Sequence, residues 1–247
     1  MKRLNIWIFG VLAVAAAAVF VKLGFWQLSR LSERRARNAI IAERAAMPPL
    51  DLAAALGQDT TQIHWRHVRI LALADYDNEI VHATRSQNGS PGVHLLTPIQ
   101  PLDSVWGDTA VILNRGFVYS ANARTIDYAK TREGDTISLD ALVLSYPPAQ
   151  EERVTLPSDP RAVRALNHDS LSRIVHHPLA NFILLALGDT VMHDIELPSR
   201  VTPPPVDEGP HMSYALQWFS FAIIGLVGFV AYVLSKRKSS GRSKTAV

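Results

Sequence analysis

The sequence predicts an α+β membrane protein, with an N-terminal and a C-terminal transmembrane helix flanking an extracytoplasmic, mainly antiparallel β domain, a sheet or small barrel with a few short helices. Three observations lead there. Residues 1–25 and 211–235 are apolar over close to the ~20 helical residues that a bilayer requires. Between them, short runs rich in β-branched and aromatic residues recur at intervals of roughly 15 to 20 residues, separated by polar turns rather than helical patterns. Basic residues gather just beyond the two spans, on the tails.

The first span, MKRLNIWIFGVLAVAAAAVFV, pairs a basic start with an apolar run that resumes after Lys22 as LGFW. Ala15 to Ala18 are residues that a signal peptidase accepts, but the aromatic far end is what an anchor carries. Residues 26–47 lack Gly and Pro, so the helix is expected to continue out of the membrane as far as Pro48 and Pro49. Residues 48–200 form the β-rich domain, starting with a short helical turn in DLAAAL. Its strands are read in HWRHVRILALADY and EIVHATR, joined by a hairpin turn at 75–78, then in VHLLTPI, TAVILNRGFVY and DTISLDALVLSY. A loop rich in Pro and charge follows over 146–160, LSRIVHH forms a short helix, and NFILLAL and VMHDIEL pair across a turn at Gly188 and Asp189. Residues 201–210, with four prolines, form a tether, 211–235 the second span and 236–247 a basic tail.

Charge sets the orientation. Lys2, Arg3, Lys236, Arg237, Lys238, Arg242 and Lys244 lie beyond the spans with no acid among them, which places both termini in the cytoplasm and the domain outside it. Lys22, Arg30, Arg34, Arg35 and Arg37 oppose that bias at the first span, and the second span decides it. Subtracting the seven terminal positives from the formal +3 leaves about −4 on the remainder, which gives no case for nucleic-acid binding. The absence of cysteine removes thiol copper chaperones, CxxC oxidoreductases and covalent c-type haem.

No HExxH, GxSxG or phosphate-binding loop is present, and no catalytic residue is assigned. His64 and His67 would face opposite sides of a strand, and His82, His94, His168 and His193 stand alone and read as structural. Asn114, Arg115 and Gly116 end an apolar strand, where Arg115 either pairs with a carboxylate of the domain or meets a partner.

The membrane boundary is richer. His211, Tyr214, Ala215, Trp218, Ala222 and Gly225 fall at helical offsets of 0, 3, 4, 7, 11 and 14, one face. Ala222, Gly225 and Gly228 on that span, and Gly10, Ala13 and Ala17 on the first, would let the helices pack closely. Gly24, Trp26, Gln27 and Arg30 then lie at the depth of His211. An aromatic belt with snorkelling arginines uses the same residues, and spacing alone leaves haem, a quinone and a partner helix open.

LGFWQLSR at 23–30, residues 85–98 ending in PGVHLLTP, LNRGFV at 113–118 and HMSYALQWF at 211–219 together resemble the Surfeit locus family of cytochrome c oxidase assembly factors. The resemblance implies a non-enzymatic inner-membrane protein that assists haem a delivery to the catalytic subunit of haem-copper oxidase, with haem a synthase as a second candidate partner. It puts the family's proposed haem a ligand on His211, followed by the matching Tyr214, Ala215 and Trp218, its first motif on Trp26, Gln27 and Arg30, and its Asn-Arg-Gly on Asn114 to Gly116. Arg30 as the partner of a haem propionate is inferred from depth and charge alone. A scaffold that holds the oxidase subunit or the synthase and binds no cofactor is the alternative.

Overall fold

A computed structural model describes residues 2–102, 106–148, 155–156, 159–191 and 196–242. The chain divides into two units, Met1–Ile40 with Val206–Val247, and Ile41–Pro205.

Two helices make up most of the first unit. Helix α1 spans Lys2–Ala46 and stops at Pro48, which has no N–H to give and bars helical geometry at Met47 before it. At 1.5 Å per residue its 45 residues reach about 68 Å, more than twice a ~30 Å hydrocarbon layer, so its C-terminal half stands clear of any bilayer that the N-terminal half crosses. Helix α5, His211–Arg242, closes the chain, and both helices are long and apolar enough to cross a membrane. They pack along a seam of α1 in which Gly10, Ala17, Gly24 and Leu31 recur every seven residues, the spacing of a left-handed helix pair. The rings of Phe229 and Phe219 fill the notches at Gly10 and Gly24. Gly225 and Gly228, expected at this seam, are not part of it: a Cβ at either would meet nothing within 4 Å. The notches belong to α1 and the bulky rings to α5, so α5 has no use for glycine where the helices meet.

The second unit is a β domain. After β1 (Leu50–Asp51), α2 (Leu52–Leu56) and α3 (Thr60–Ile63) come β2 (His67–Ala74), β3 (Ile80–Gln87), β4 (Ser90–Pro101), β5 (Ala110–Tyr119) and β6 (Thr136–Leu144). Then follow β7 (Thr155–Leu156), β8 (Asp159–Val163), α4 (His168–Ile174) and β9 (Leu179–Ala186). Strands β2, β6, β9, β5 and β4 pair in that order, and β4 pairs back to β2 through Ala72 to Ala74 and Ile99 to Pro101, which closes a five-stranded barrel. Only β5 and β9 run parallel within it. Strands β3, β8 and β7 extend the sheet from β4.

Period-two alternation fills the barrel. Val68, Ile70 and Ala72 of β2, Val111 and Leu113 of β5, and Ala180, Phe182, Leu184 and Ala186 of β9 form the interior, with Leu52 and Ala55 of α2 packed into the same cluster. The alternate residues Ile112 and Ile183 face out and are covered by Leu171 of α4, whose first turn is capped by the Asn167 side chain accepting from Ser170 N–H at 3.0 Å.

The structure corrects three local expectations. Residues 75–78 do not close a hairpin, because β2 pairs with β6 and β4 while β3 pairs with β4 and β8. Alternation marks both strands as half-buried but is blind to which distant strand each will meet. His64 follows α3 and precedes β2, so it shares no strand with His67; its Nδ1 accepts from Ser145 N–H at 3.0 Å. Part of the loop expected over 146–160 forms β7 and the start of β8. Met192, His193, Asp194 and Ile195 of the strand expected at VMHDIEL lie outside the described residues.

Candidate functional site

The first residue of α5 is the centre of the helix-pair site. His211 Nδ1 lies 2.8 Å from Gln27 Oε1 on α1. A carbonyl oxygen can only accept, so Nδ1 carries the proton and the Nε2 lone pair is left free. Gln27 is 9% exposed, so its amide is held within the helix pair. A carbonyl that fixes the tautomer and ring orientation of a histidine is the arrangement found behind metal-bound imidazoles. Gly209 precedes the helix with φ +66°, and a Cβ on it would lie 3.6 Å from His211 Nε2. The backbone conformation favours glycine there, and a Cβ would stand in ordinary contact with the open edge of the ring.

A charged clasp ties the segment before α5 to α1. Arg34 donates to Asp207, from Nε to its carbonyl at 2.9 Å and from Nη2 to its carboxylate at 3.0 Å, and Asn38 Nδ2 donates to the same carbonyl at 2.8 Å. Arg35 makes a bidentate pair with Glu208 at 2.8 and 2.9 Å, and this pairing holds the Glu208 carboxyl below its usual range. Gly24, Gln27, Leu31, Arg34 and Asn38 form one continuous stripe, so a single face of α1 takes an α5 ring, orients the histidine and grips the entering chain. Sequence reading did not single out this clasp. Its signal was the complementarity of the dipeptides Arg34-Arg35 and Asp207-Glu208.

Of the six residues expected at the boundary, His211 and Gln27 are in direct contact. Trp218 stacks on Phe20 of α1, with centroids 5.7 Å apart and planes inclined by 24°. Trp26 and Tyr214 are 54% and 47% exposed and point away from the seam. Arg30 pairs with Glu33 one turn along its own helix at 2.6 Å. The structure therefore unites an imidazole and an amide, backs them with stacked rings, and leaves Trp26, Tyr214 and Arg30 on the periphery.

Asn114, Arg115 and Gly116 are buried in the β domain, and Arg115 takes the first of its two expected roles, pairing with carboxylates of the domain. The register between β4 and β5 shifts at Arg115, so that residue has no opposite number, and its side chain turns into the domain. Fully buried, Arg115 donates to Glu79 at 2.6 Å and Glu133 at 2.8 Å, to Thr97 Oγ1 at 2.8 Å and to the Thr131 carbonyl at 2.8 Å. Thr97 Oγ1 donates onward to Glu79. Gly116, at φ +140°, lets the Ser199 backbone approach where any side chain would collide, and Phe117 and Ser199 exchange both backbone hydrogen bonds, at 2.7 and 2.9 Å. The Asn-Arg-Gly stretch thus anchors the end of the domain from within.

Two apolar helices at the chain ends and a small closed barrel between them define a two-span membrane protein. The chain belongs to the SURF1 family, whose model matches residues 14–223. It is 26% identical over 219 residues to a SURF1-like protein of Rickettsia conorii, covering 87% of this chain and 86% of that one. A SURF1-like protein of Rickettsia bellii is 27% identical over 228 residues, 91% of this chain and 89% of its own. An uncharacterized SURF1-like protein of Mycobacterium tuberculosis is 23% identical over 250 residues, 95% and 88% of the two chains. Membership of this family, one of assembly factors, implies a role in cytochrome oxidase assembly.

Proposed function

We propose that this protein assists assembly of haem-copper (cytochrome c) oxidase by holding haem a transiently and passing it to the catalytic subunit, without catalysing a reaction itself. In this reading it is an inner-membrane protein with both termini cytoplasmic, and the helix-pair site lies at the extracytoplasmic boundary. The observation that carries the reading is the 2.8 Å contact that fixes His211 with Nε2 free.

The donor set suits the cofactor. An iron already held by four macrocycle nitrogens needs one axial imidazole, whereas a free divalent ion takes three or four protein ligands. His211 would supply the axial nitrogen, Gln27 its orientation, and Trp218, Trp26 and Tyr214 aromatic surface for an apolar ring. Arg30 would serve a propionate. Its present partner does not prevent this, since an exposed pair of this kind stabilises a helix by only about 0.5 kcal/mol or less. The haem would contribute Lewis-acidic iron and an apolar macrocycle. The protein binds, orients and releases it, and a single neutral ligand at a half-buried helix end suits release.

The reading is tested in cells that make haem a. Replacing the protein by His211→Ala should leave the oxidase subunit synthesised but short of haem a, whereas an oxidase with full haem content in that strain refutes the delivery role. A cofactor-free scaffold would instead stabilise the subunit equally with or without His211.

A further inference from the structure

We propose that the β domain carries a second site, which binds a small organic anion: Arg85 and Arg164 receive its carboxylate or phosphate beside the buried ring of His82. The site is separate from the helix pair and does not depend on the haem reading.

A strained residue, Thr84, lies beside the site. His82 of β3 stands opposite His94 of β4, and Arg85 stands opposite Gly92, so two residues of β3 face the single Val93 between them. Thr84 forms this bulge at φ +57°, a region in which a β-branched residue is a true outlier. Its N–H donates to the Ala123 carbonyl at 2.8 Å, and its hydroxyl to the Ala83 carbonyl at 2.7 Å. The extra residue reverses the alternation, so Arg85 emerges on the same face as His82 and His94 instead of the opposite one. Strain held in place by its surroundings marks positions where a side chain has been re-aimed.

What is re-aimed has no acidic partner among the described residues. Arg85 is half-buried, and its only hydrogen bond among the described residues runs from Nε to the Ala83 carbonyl at 3.1 Å. No carboxylate pairs with it or with Arg164 among the described residues. His82 is 8% exposed; its Nε2 lies 3.2 Å from the Arg164 carbonyl, which makes Nε2 the protonated atom. Nδ1 is then an acceptor closed off from the cavity, and it has no hydrogen-bond partner among the described residues. These groups line a cavity of about 370 Å³ together with Pro147, Pro148 and Leu166. That volume lies within the range of small-molecule sites and exceeds what an inorganic anion fills. Two guanidinium groups that meet no acid among the described residues call for an anion. The prolines and leucine supply the wall against which the body of the ligand rests.

The test is isothermal titration of the full-length protein in detergent with malate and, separately, with glycerol 1-phosphate. At least one should bind with a stoichiometry of one; malate alone assigns a carboxylate, and glycerol 1-phosphate alone a phosphate. Affinity should fall at least tenfold in Arg85→Gln and several-fold in Arg164→Gln, and remain unchanged in His211→Ala. Arg85→Lys, which keeps the charge and loses the fork, should fall between. Should Arg85→Gln not fold, the exposed Arg164→Gln decides the matter. Binding of neither anion, or equal binding by wild type and the arginine variants, overturns the proposal, as does a loss that follows His211 instead.

Discussion

His211 and Gln27 are 184 positions apart in the chain and 2.8 Å apart in space, the imidazole donating from Nδ1 and the amide oxygen accepting. Each residue belongs to a motif that is ordinary alone. Together they fix the direction of an imidazole at a helix terminus.

The first prediction concerns the orienting partner. Gln27→Leu removes the acceptor while keeping the bulk, so Nδ1 loses its fixed proton and the ring its direction. Haem retention, read as the Soret absorbance per protein, should fall about 10- to 100-fold, the cost of losing such a partner at metal sites. Helical content by far-ultraviolet circular dichroism should not change.

Gly209→Ala acts on the same ring from the other side. The added methyl sits 3.6 Å from Nε2 and forces a left-handed backbone on alanine. Haem content should fall while His211 and Gln27 remain in the sequence, and an unchanged spectrum would mean that the Nε2 edge is not the binding edge.

The clasp should reveal itself as local order. Arg34→Ala with Arg35→Ala removes the arginine contacts to Asp207 and Glu208 and leaves only that of Asn38, and amide exchange over residues 206–209 should quicken while exchange in the β domain is unaltered. Raising the salt concentration on the wild type should act in the same direction, since both pairs are exposed.

Arg115→Ala tests whether that residue is internal. It strands Glu79 as a buried charge, which should destabilise the β domain by about 3 to 5 kcal/mol in denaturant unfolding. A variant with native stability but impaired oxidase assembly would restore the partner-contact role.

Acid should unfold the β domain early. Burial, followed by the charge of Arg85, pushes His82 and His94 down to about 4, against an ordinary value of about 6.5. Between those values the unfolded chain binds more protons than the folded one, so stability is lost as pH falls through that window, by a few kcal/mol in total. Thermal midpoints at pH 7 and pH 5 should differ clearly in the wild type and much less in the His82→Gln, His94→Gln double variant.

The spans and most strands were legible because each rests on a local pattern: a run of about 20 apolar residues for α5, and period-two alternation for β2 and β9. Barrel closure was not, since the pairing of Ala72 with Pro101 depends on a register that no local window contains. Arg115 shows the same limit. Its place at a strand end left an internal pair and a partner contact equally open, and the carboxylates that decide between them come from Glu79 and Glu133, on either side of it in the chain. His211 and Gln27 were each singled out, but their contact needed the relative rotation of two helices. His82 and His94 read as isolated residues because they meet only through the register of β3 and β4, and a one-residue bulge, invisible to alternation, adds Arg85 to their face.

The central claim is that His211 holds haem a, and the most direct measurement is the visible spectrum of the protein purified from membranes that synthesise haem a. The wild type should carry a Soret band at close to one haem per chain, and His211→Ala should lose nearly all of it while purifying in equal yield. A wild type without haem absorbance, or a His211→Ala variant with the full band, would contradict the account.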